Sequence, residues 1–255
     1  MLIATWNVNS IRARDERVRA WLALRKPDVV CLQELKVEDE KFPRAEYEAA
    51  GWHLALHGQR TYNGVAILSR LPLEDVTRGL DDGEDDAQAR LIAATVGGVR
   101  VLCAYAPNGD SLGSEKYQYK LRWFSRLRRH LDARYTAQTP LALLGDLNVA
   151  PEARDVHDPP KWESTVLYAP EIRAALEKSV RSWGFIDAFR QHEQGKVFSW
   201  WDYRAGAFRK DQGLRIDHVY VTESLAKRTR GARVDREERV GETPSDHAPV
   251  IVELE

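Results

Sequence analysis

An excess of positive charge is missing from this 255-residue chain: 38 Lys and Arg stand against 39 Asp and Glu, a net charge of −1. That excludes a protein that grips a polyanion through a global basic field, so any such partner must be met by a local patch. Cysteine is scarce as well, and Cys31 and Cys103 each sit inside an apolar run, "VVCL" and "VLCAY". Such thiols read as buried and reduced, which excludes a disulfide framework or a thiolate metal site. No apolar segment has the length to span a bilayer, and the first residues lack a basic stretch followed by a long apolar one. The expectation is a soluble cytoplasmic protein without a membrane partner. Gly/Ser-rich and Pro-rich linkers are absent too, so one domain over residues 1–255 is expected.

What recurs instead is the short apolar run, at 2–6, 29–33, 64–69, 91–96, 99–105, 141–145, 216–221 and 250–254. Each has strand length, and several are rich in Val and Ile. Helical spacing fills three intervals: 15–26 before Pro27, 115–134, and 171–183. In 115–134 the stripe is Tyr117, Leu121, Phe124, Leu127 and Leu131, which leaves Lys120, Arg122, Arg126, Arg128 and Arg129 mostly on other faces. The stretch "GLDDGEDDAQ" (79–88) reads as a solvated acidic loop. Strands that outnumber helices predict an α/β (α+β) protein with two packed sheets covered outside by helices. "LIATWNVNS" and "LALLGDLNVA" also echo each other, each an apolar strand running into an Asn-containing turn.

The polar residues fall at the ends of these runs: Asn7, Glu34, Tyr105 with Asn108, Asp146 with Asn148, Asp217, and Asp246 with His247 before the last strand. Taken singly, each has a plain explanation. Glu34 is what a solvated strand end looks like, and "GDLN" is also a good turn sequence. Asp217 within "LRIDHVYV" is harder to dismiss, because a carboxylate among strand residues needs a partner. Converging along one edge of a sheet pair, the set would offer carboxylates, amides, one His and one Tyr. Oxygen donors with no Cys favour Mg²⁺ or Mn²⁺ over zinc, and such a metal is most useful against phosphate esters.

The residues "WNVNSIRAR" (6–14), "PDVVCLQELK" (27–36), "YNGVAILS" (62–69), "AYAPNG" (104–109), "GDLNVAPEARDVHDP" (145–159), "FSWWDYR" (198–204), "GLRIDHVYV" (213–221) and "SDHAPV" (245–250) carry a resemblance over essentially the whole chain. The sequence resembles the exonuclease III family, the class II AP endonuclease branch of the endonuclease/exonuclease/phosphatase superfamily. "GDLN" and "SDH" are shared across the superfamily, whereas "FSWWDYR" followed by "GLRID" points to the DNA-repair branch. The resemblance implies a DNase I-like four-layer α/β/β/α sandwich, two packed mixed sheets flanked by helices, acting as a monomer. It implies Glu34 as main Mg²⁺ ligand, with Asn7 beside it and Asp246 contributing, and a second possible position on Asp146, Asn148 and His247. Asp146 would activate water, Asn148 would orient it, Asp217 would hold a protonated His247, and Tyr105 would donate to the same phosphate.

The implied substrate is double-stranded DNA with abasic sites or blocked or recessed 3′ ends. Trp200, Leu214 and Ile216 resemble the pocket for a flipped abasic sugar. Arg90, Asn108, Lys120 and Arg204 stand where the family contacts the DNA backbone. The implied activity is incision 5′ to the abasic site with 3′-to-5′ exonuclease and 3′-end trimming. Asn108 in "YAPN" agrees with the endonuclease-type pattern; Ala89 and His218 depart from the family, where a second arginine and an aliphatic or aromatic residue stand. The competing readings are another phosphoesterase of the superfamily, which would lack "FSWWDYR", and an inactive nucleic-acid-binding relative, which would have lost part of the acid set.

Overall fold

A computed structural model describes residues 1–84 and 86–255 of the chain. The strands are β1 (Leu2–Asn7), β2 (Val29–Gln33), β3 (His53–His57), β4 (Val65–Ser69), β5 (Glu74–Arg78), β6 (Leu91–Val96), β7 (Val99–Tyr105), β8 (Leu141–Asp146), β9 (Ile186–Asp187), β10 (Asp217–Val221), β11 (Thr229–Val234) and β12 (Val250–Leu254). They form two six-stranded mixed sheets, ordered β11-β12-β1-β2-β4-β3 and β5-β6-β7-β8-β10-β9. Each has a single parallel pair at its centre, β1 with β2 and β7 with β8. Strands β1 and β8 therefore hold equivalent places, each parallel to one neighbour and antiparallel to the other. This is the structural content of the echo between "LIATWNVNS" and "LALLGDLNVA".

The helices are α1 (Ile11–Arg25), α2 (Arg44–Ala49), α3 (Glu115–Arg134), α4 (Pro159–Trp162), α5 (Pro170–Ser179) and α6 (Glu223–Ala226). Val18, Trp21 and Leu22 of α1 and Tyr47 of α2 pack on Ala4, Trp6, Val30 and Leu32 of the first sheet. Phe124, Leu127 and Leu131 of α3 and Ile172 and Leu176 of α5 cover Leu102, Leu141 and Leu143 of the second. A third apolar layer, including Ile3, Cys31, Ile67, Val101, Cys103, Leu144, Val219 and Val252, fills the space between the sheets. The result is the four-layer sandwich, with both cysteines buried as free thiols.

Several details differ from the sequence expectation. Helix α1 begins at Ile11, not at 15, because the amides of Ser10 and Ile11 bond to the carbonyls of Glu34 and Leu35. It stops at Arg25, where Lys26 takes a left-handed conformation ahead of Pro27. The segment expected as one helix over 171–183 is α5 plus a separate 3₁₀ turn at Arg181–Trp183. Four strands lie outside the expected set, β3, β5, β9 and β11, and they are the four sheet edges. An edge strand is covered on fewer sides, so it need not be a continuous apolar run. The acidic loop is no free coil either: Asp82 and Asp86 clamp the buried guanidinium of Arg126 at 2.7 and 2.5 Å. Arg126 belongs to the covered face of α3, contrary to the expectation for that cation.

Candidate active site

Side-chain alternation decides which residues meet. Ile3, Cys31, Cys103, Leu144 and Val219 point between the sheets, and two or four positions along the same strands stand Asn7, Gln33, Tyr105, Asp146 and Asp217. The site is thus the polar mouth of the inter-sheet core. Tyr105 is the register partner of Asp146 on one side, and Asp217, opening the antiparallel β10, is its partner on the other. That approach needs Gly145, because a Cβ there would lie 1.8 Å from the Ala104 carbonyl oxygen. From the first sheet, Val250 of β12 pairs with Thr5, so the chain just before it runs past Asn7, and the Ser245 hydroxyl donates to the Asn7 carbonyl at 2.7 Å. His247 is thereby delivered between the two sheets. Glu34 and Asn148 both sit at positive φ, 53° and 51°, conformations uncommon for such residues and concentrated at functional sites.

The Asn7 amide donates to Glu34 Oε1 and to Asp146 Oδ2, both at 2.9 Å. Glu34 also takes an ion pair from Lys36 at 2.8 Å. His247 Nδ1 lies 2.9 Å from Asp217 Oδ2, and its Nε2 lies 3.7 Å from Asp146 Oδ2. The oxygen of Asp217 that faces His247 also accepts from the Ser199 hydroxyl at 2.6 Å. Asn148 donates to the Ala106 carbonyl at 2.9 Å and accepts from Asn108 at 3.2 Å.

These contacts set the protonation states. Burial alone would lower His247, but the Asp217 and Asp146 carboxylates outweigh it and raise the ring to about 10, so it is a cation at neutral pH. Burial lifts Asp146 to about 7, with the His247 charge opposing and the Asp217 charge adding. For Glu34 burial is overcome by Lys36 and by the Asn7 hydrogen bond, which hold the carboxyl below its ordinary range. Burial, with the charges of Glu34 and Asp146, pushes the Tyr105 phenol well up, so it remains an O–H donor.

Among the described residues, Glu34, Asp146 and His247 offer ligand atoms within 4.8 Å of one another. With the imidazole protonated, the available donors are carboxylate oxygens, a set that suits a hard divalent cation. The group mixes the two ligand sets expected from sequence. Asn7 turns its N–H groups to the carboxylates, and its oxygen accepts from the Asn9 amide at 3.0 Å. Asp246 lies outside the group, its two oxygens held by Asn9 and Trp200 at 3.0 Å each.

Trp200 packs edge-on to Trp162 and bridges to Leu214 and His247, with Leu214 and Ile216 buried beneath. Arg90 and Asn108 line a groove of about 650 Å³ with Tyr105, Tyr62 and Tyr119. Arg204 is exposed and paired with Asp202 at 2.8 Å. Lys120 departs from the expected surface contact: it is fully buried, and its ammonium donates to the carbonyls of Asn108, Asn148 and Val166 at 2.9, 2.7 and 2.6 Å. No donor remains for a phosphate, and burial lowers its pKa to about 7. Sequence reasoning passed over Ser199, Lys36 and Arg215. The buried Asp217 was the signal for Ser199, since such a carboxylate demands donors, and "FSWWDYR" and "GLRID" held Ser199 and Arg215.

Residues 4–247 match the family model described as Endonuclease/Exonuclease/phosphatase family. The chain belongs to that family. Within the endonuclease/exonuclease/phosphatase group it is 34% identical to exodeoxyribonuclease III of Haemophilus influenzae, with 100% of both chains covered. Among solved structures it is similar to an AP endonuclease from Archaeoglobus fulgidus, at TM-score 0.97 and 40% identity, covering 100% of this chain and 99% of that one. It is also similar to the 3′ phosphatase NExo from Neisseria, solved with a product DNA hairpin, at TM-score 0.95 and 43% identity, with 100% and 99% covered.

Proposed function

We propose that residues 1–255 form a single catalytic unit, a DNA-repair phosphodiesterase that incises 5′ to abasic sites and trims 3′ ends of duplex DNA using Mg²⁺, with Mn²⁺ as a substitute. The observation that carries this is the meeting of Glu34, Asp146 and His247 at the mouth of the two sheets, beside Trp200. The names and full-length similarity of the relatives support the DNA substrate. The reduced, buried thiols agree with work in the cytoplasm, and no helix among the described residues is long and apolar enough to cross a membrane.

Asp146, raised towards neutrality, takes the proton of the attacking water, the range in which a general base is most effective. Asn148 orients that water and the phosphate through its amide. His247, held by Asp217, presents its Nε2–H as a cationic donor to the equatorial oxygens, and Tyr105 adds a phenolic donor. Glu34 would hold the cation, which when bound supplies charge neutralisation at the phosphate and the leaving 3′-oxygen. The products are a 3′-hydroxyl and a fragment bearing a 5′-phosphate. Trp200, Leu214 and Ile216 receive the flipped sugar, and Arg90, Asn108 and Arg204 meet the backbone of a substrate bound by one monomer.

The test is an end-labelled duplex with one abasic-site analogue, incubated with Mg²⁺ or with EDTA, beside an undamaged duplex with a recessed 3′ end. Cutting 5′ to the lesion only with metal is expected, and shortening of the undamaged strand measures the exonuclease share. No cleavage with Mg²⁺ or Mn²⁺ by folded protein that still binds the duplex would leave the binding-only reading in its place.

A further inference from the structure

The turn after β8 carries Asp146 and Asn148, and its backbone is held from two sides by buried nitrogen donors. Lys120 of α3 donates to the Asn148 carbonyl at 2.7 Å. His218 of β10 bonds through Nε2 to the next carbonyl, Val149, at 2.8 Å. The histidine tautomer follows from its other contact. Arg215 Nη1 lies 3.0 Å from His218 Nδ1, and a guanidinium can only donate, so Nδ1 is the acceptor and Nε2 carries the proton. Burial and the Arg215 charge lower His218 to about 4, which keeps this neutral form throughout the neutral range. Arg215 is itself fixed by Asp155 at 2.7 Å and Asp187 at 2.8 Å.

Both contacts act on a strained segment. Asn148 occupies the left-handed region, its amide bonds to its own neighbour Asp146 Oδ1 at 2.9 Å, and its side chain is shared between Ala106 and Asn108. A residue in that conformation stays there only when its surroundings over-determine it. Leu147 and Ala150 are tied at either end to the carbonyls of Ile216 and Leu167. The peptide oxygens between those ties belong to Lys120 and His218.

We propose that His218 and Lys120 are positioning residues that lock the turn after β8 and thereby aim Asn148 and Asp146 at the scissile phosphate. The proposal rests on the reading of Asp146 as the base for the attacking water and of Asn148 as the group that orients that water and the phosphate. It gives a role to His218, the departure from the family pattern, and replaces the expected DNA contact of Lys120 with a structural lock on the site.

Four variants, His218→Phe, His218→Gln, Lys120→Met and Asn148→Ala, are compared on the abasic-analogue duplex with Mg²⁺, reading kcat and KM separately. Deuterium uptake of residues 147–151 is followed by mass spectrometry. Phe offers neither donor nor acceptor, whereas Gln keeps an N–H for Val149 and an oxygen for Arg215. H218F is expected to lose kcat on the order of ten- to a hundredfold at nearly unchanged KM, as misplacement of reacting groups does. Uptake at 147–151 rises in H218F, and H218Q recovers most of both. Parental kcat in H218F, or H218Q as slow as H218F, overturns the proposal. Where H218F does not fold, K120M carries the test from the other side of the turn: a lowered kcat with faster uptake supports the lock, and parental kcat overturns it. N148A separates the two levels. Parental cleavage by N148A removes the underlying reading, while an inactive N148A beside fully active H218F and K120M removes the lock alone.

Discussion

Two clusters of buried charge lie two residues apart along the same chain segment and resolve one problem in opposite ways. Around Arg215, the carboxylates of Asp155 and Asp187 meet the guanidinium at 2.7 and 2.8 Å, and Arg190 closes on Asp155 as well. Burial pushes both carboxyls up, but the arginines win and hold them below their ordinary range. Around Asp217, the ion-pair partner among the described residues is His247 and not an arginine. Asp217 and Asp146 share one imidazole, and one oxygen of Asp217 has no hydrogen-bond partner among the described residues. There burial wins for Asp146 and lifts it to about 7. The lesson is that a buried carboxylate marks a reactive site only where its counter-charge falls short; with a full fork of guanidinium donors it is a strut.

The largest effect that can break this contrast is on turnover. Asp146→Asn removes the proton acceptor and keeps the shape, so hydrolysis should fall by a factor on the order of 10³ while DNA binding and folded stability hold. Retained cleavage in a single-turnover assay would show that the under-compensated carboxyl is not the base. Asp155→Asn is the mirror experiment. It leaves Arg215 with Asp187 alone and takes from Arg190 its carboxylate partner, and should cost about 3–5 kcal/mol in urea unfolding, as removing one partner of a buried pair does. A variant as stable as the parent would erase the distinction between strut and site.

A third, finer test uses pH. His218, lowered from 6.5 to about 4, is protonated in the unfolded chain before the folded one as pH falls. The stability it contributes is therefore full above about pH 6.5 and is lost on the way to about pH 4, in all about 3 kcal/mol. Because Asp146 and His247 titrate too, the readout is the difference in unfolding free energy between the parent and His218→Gln across that window. A difference independent of pH would show that the Arg215 side is not holding a neutral ring. The smallest effect belongs to a pair outside both clusters. Arg204→Ala, at an exposed ion pair with Asp202, should leave unfolding unchanged and lower the slope of log DNA affinity against log salt by about one. An unaltered slope in filter binding would take Arg204 off the DNA path.

What could be read in advance follows a physical rule. All eight expected strands are central in the sheets, where cover on both faces forces apolar runs such as "VVCLQ" and "LALLGD". The four unexpected ones are edges, and β5, "EDVTR", is mostly exposed. Lys120 and Arg126 were misread for a related reason: helical spacing assigns charge to the outside, and it holds no information about carbonyls or carboxylates that the rest of the fold brings over that helix. Asp246 and His247 are adjacent in sequence yet go to different tasks, one to Asn9 and Trp200, the other to Asp217 and Asp146.

The amino-acid sequence by itself determined the strands of the sheet interiors, the residues at their ends and the chemistry those residues offer, because hydrophobic alternation and side-chain type are local properties. It determined as well that Asp217 needed a partner. Only the tertiary structure decided which partners each charge received: that β10 runs against β8 and sets Asp217 opposite Asp146, that the chain before β12 crosses the gap to bring His247 between them, and that Arg215, two residues away, turns to Asp155 and Asp187 instead. Protonation state depends on burial and on charges within a few ångströms, and those distances are set by strand order and register between residues far apart in the chain.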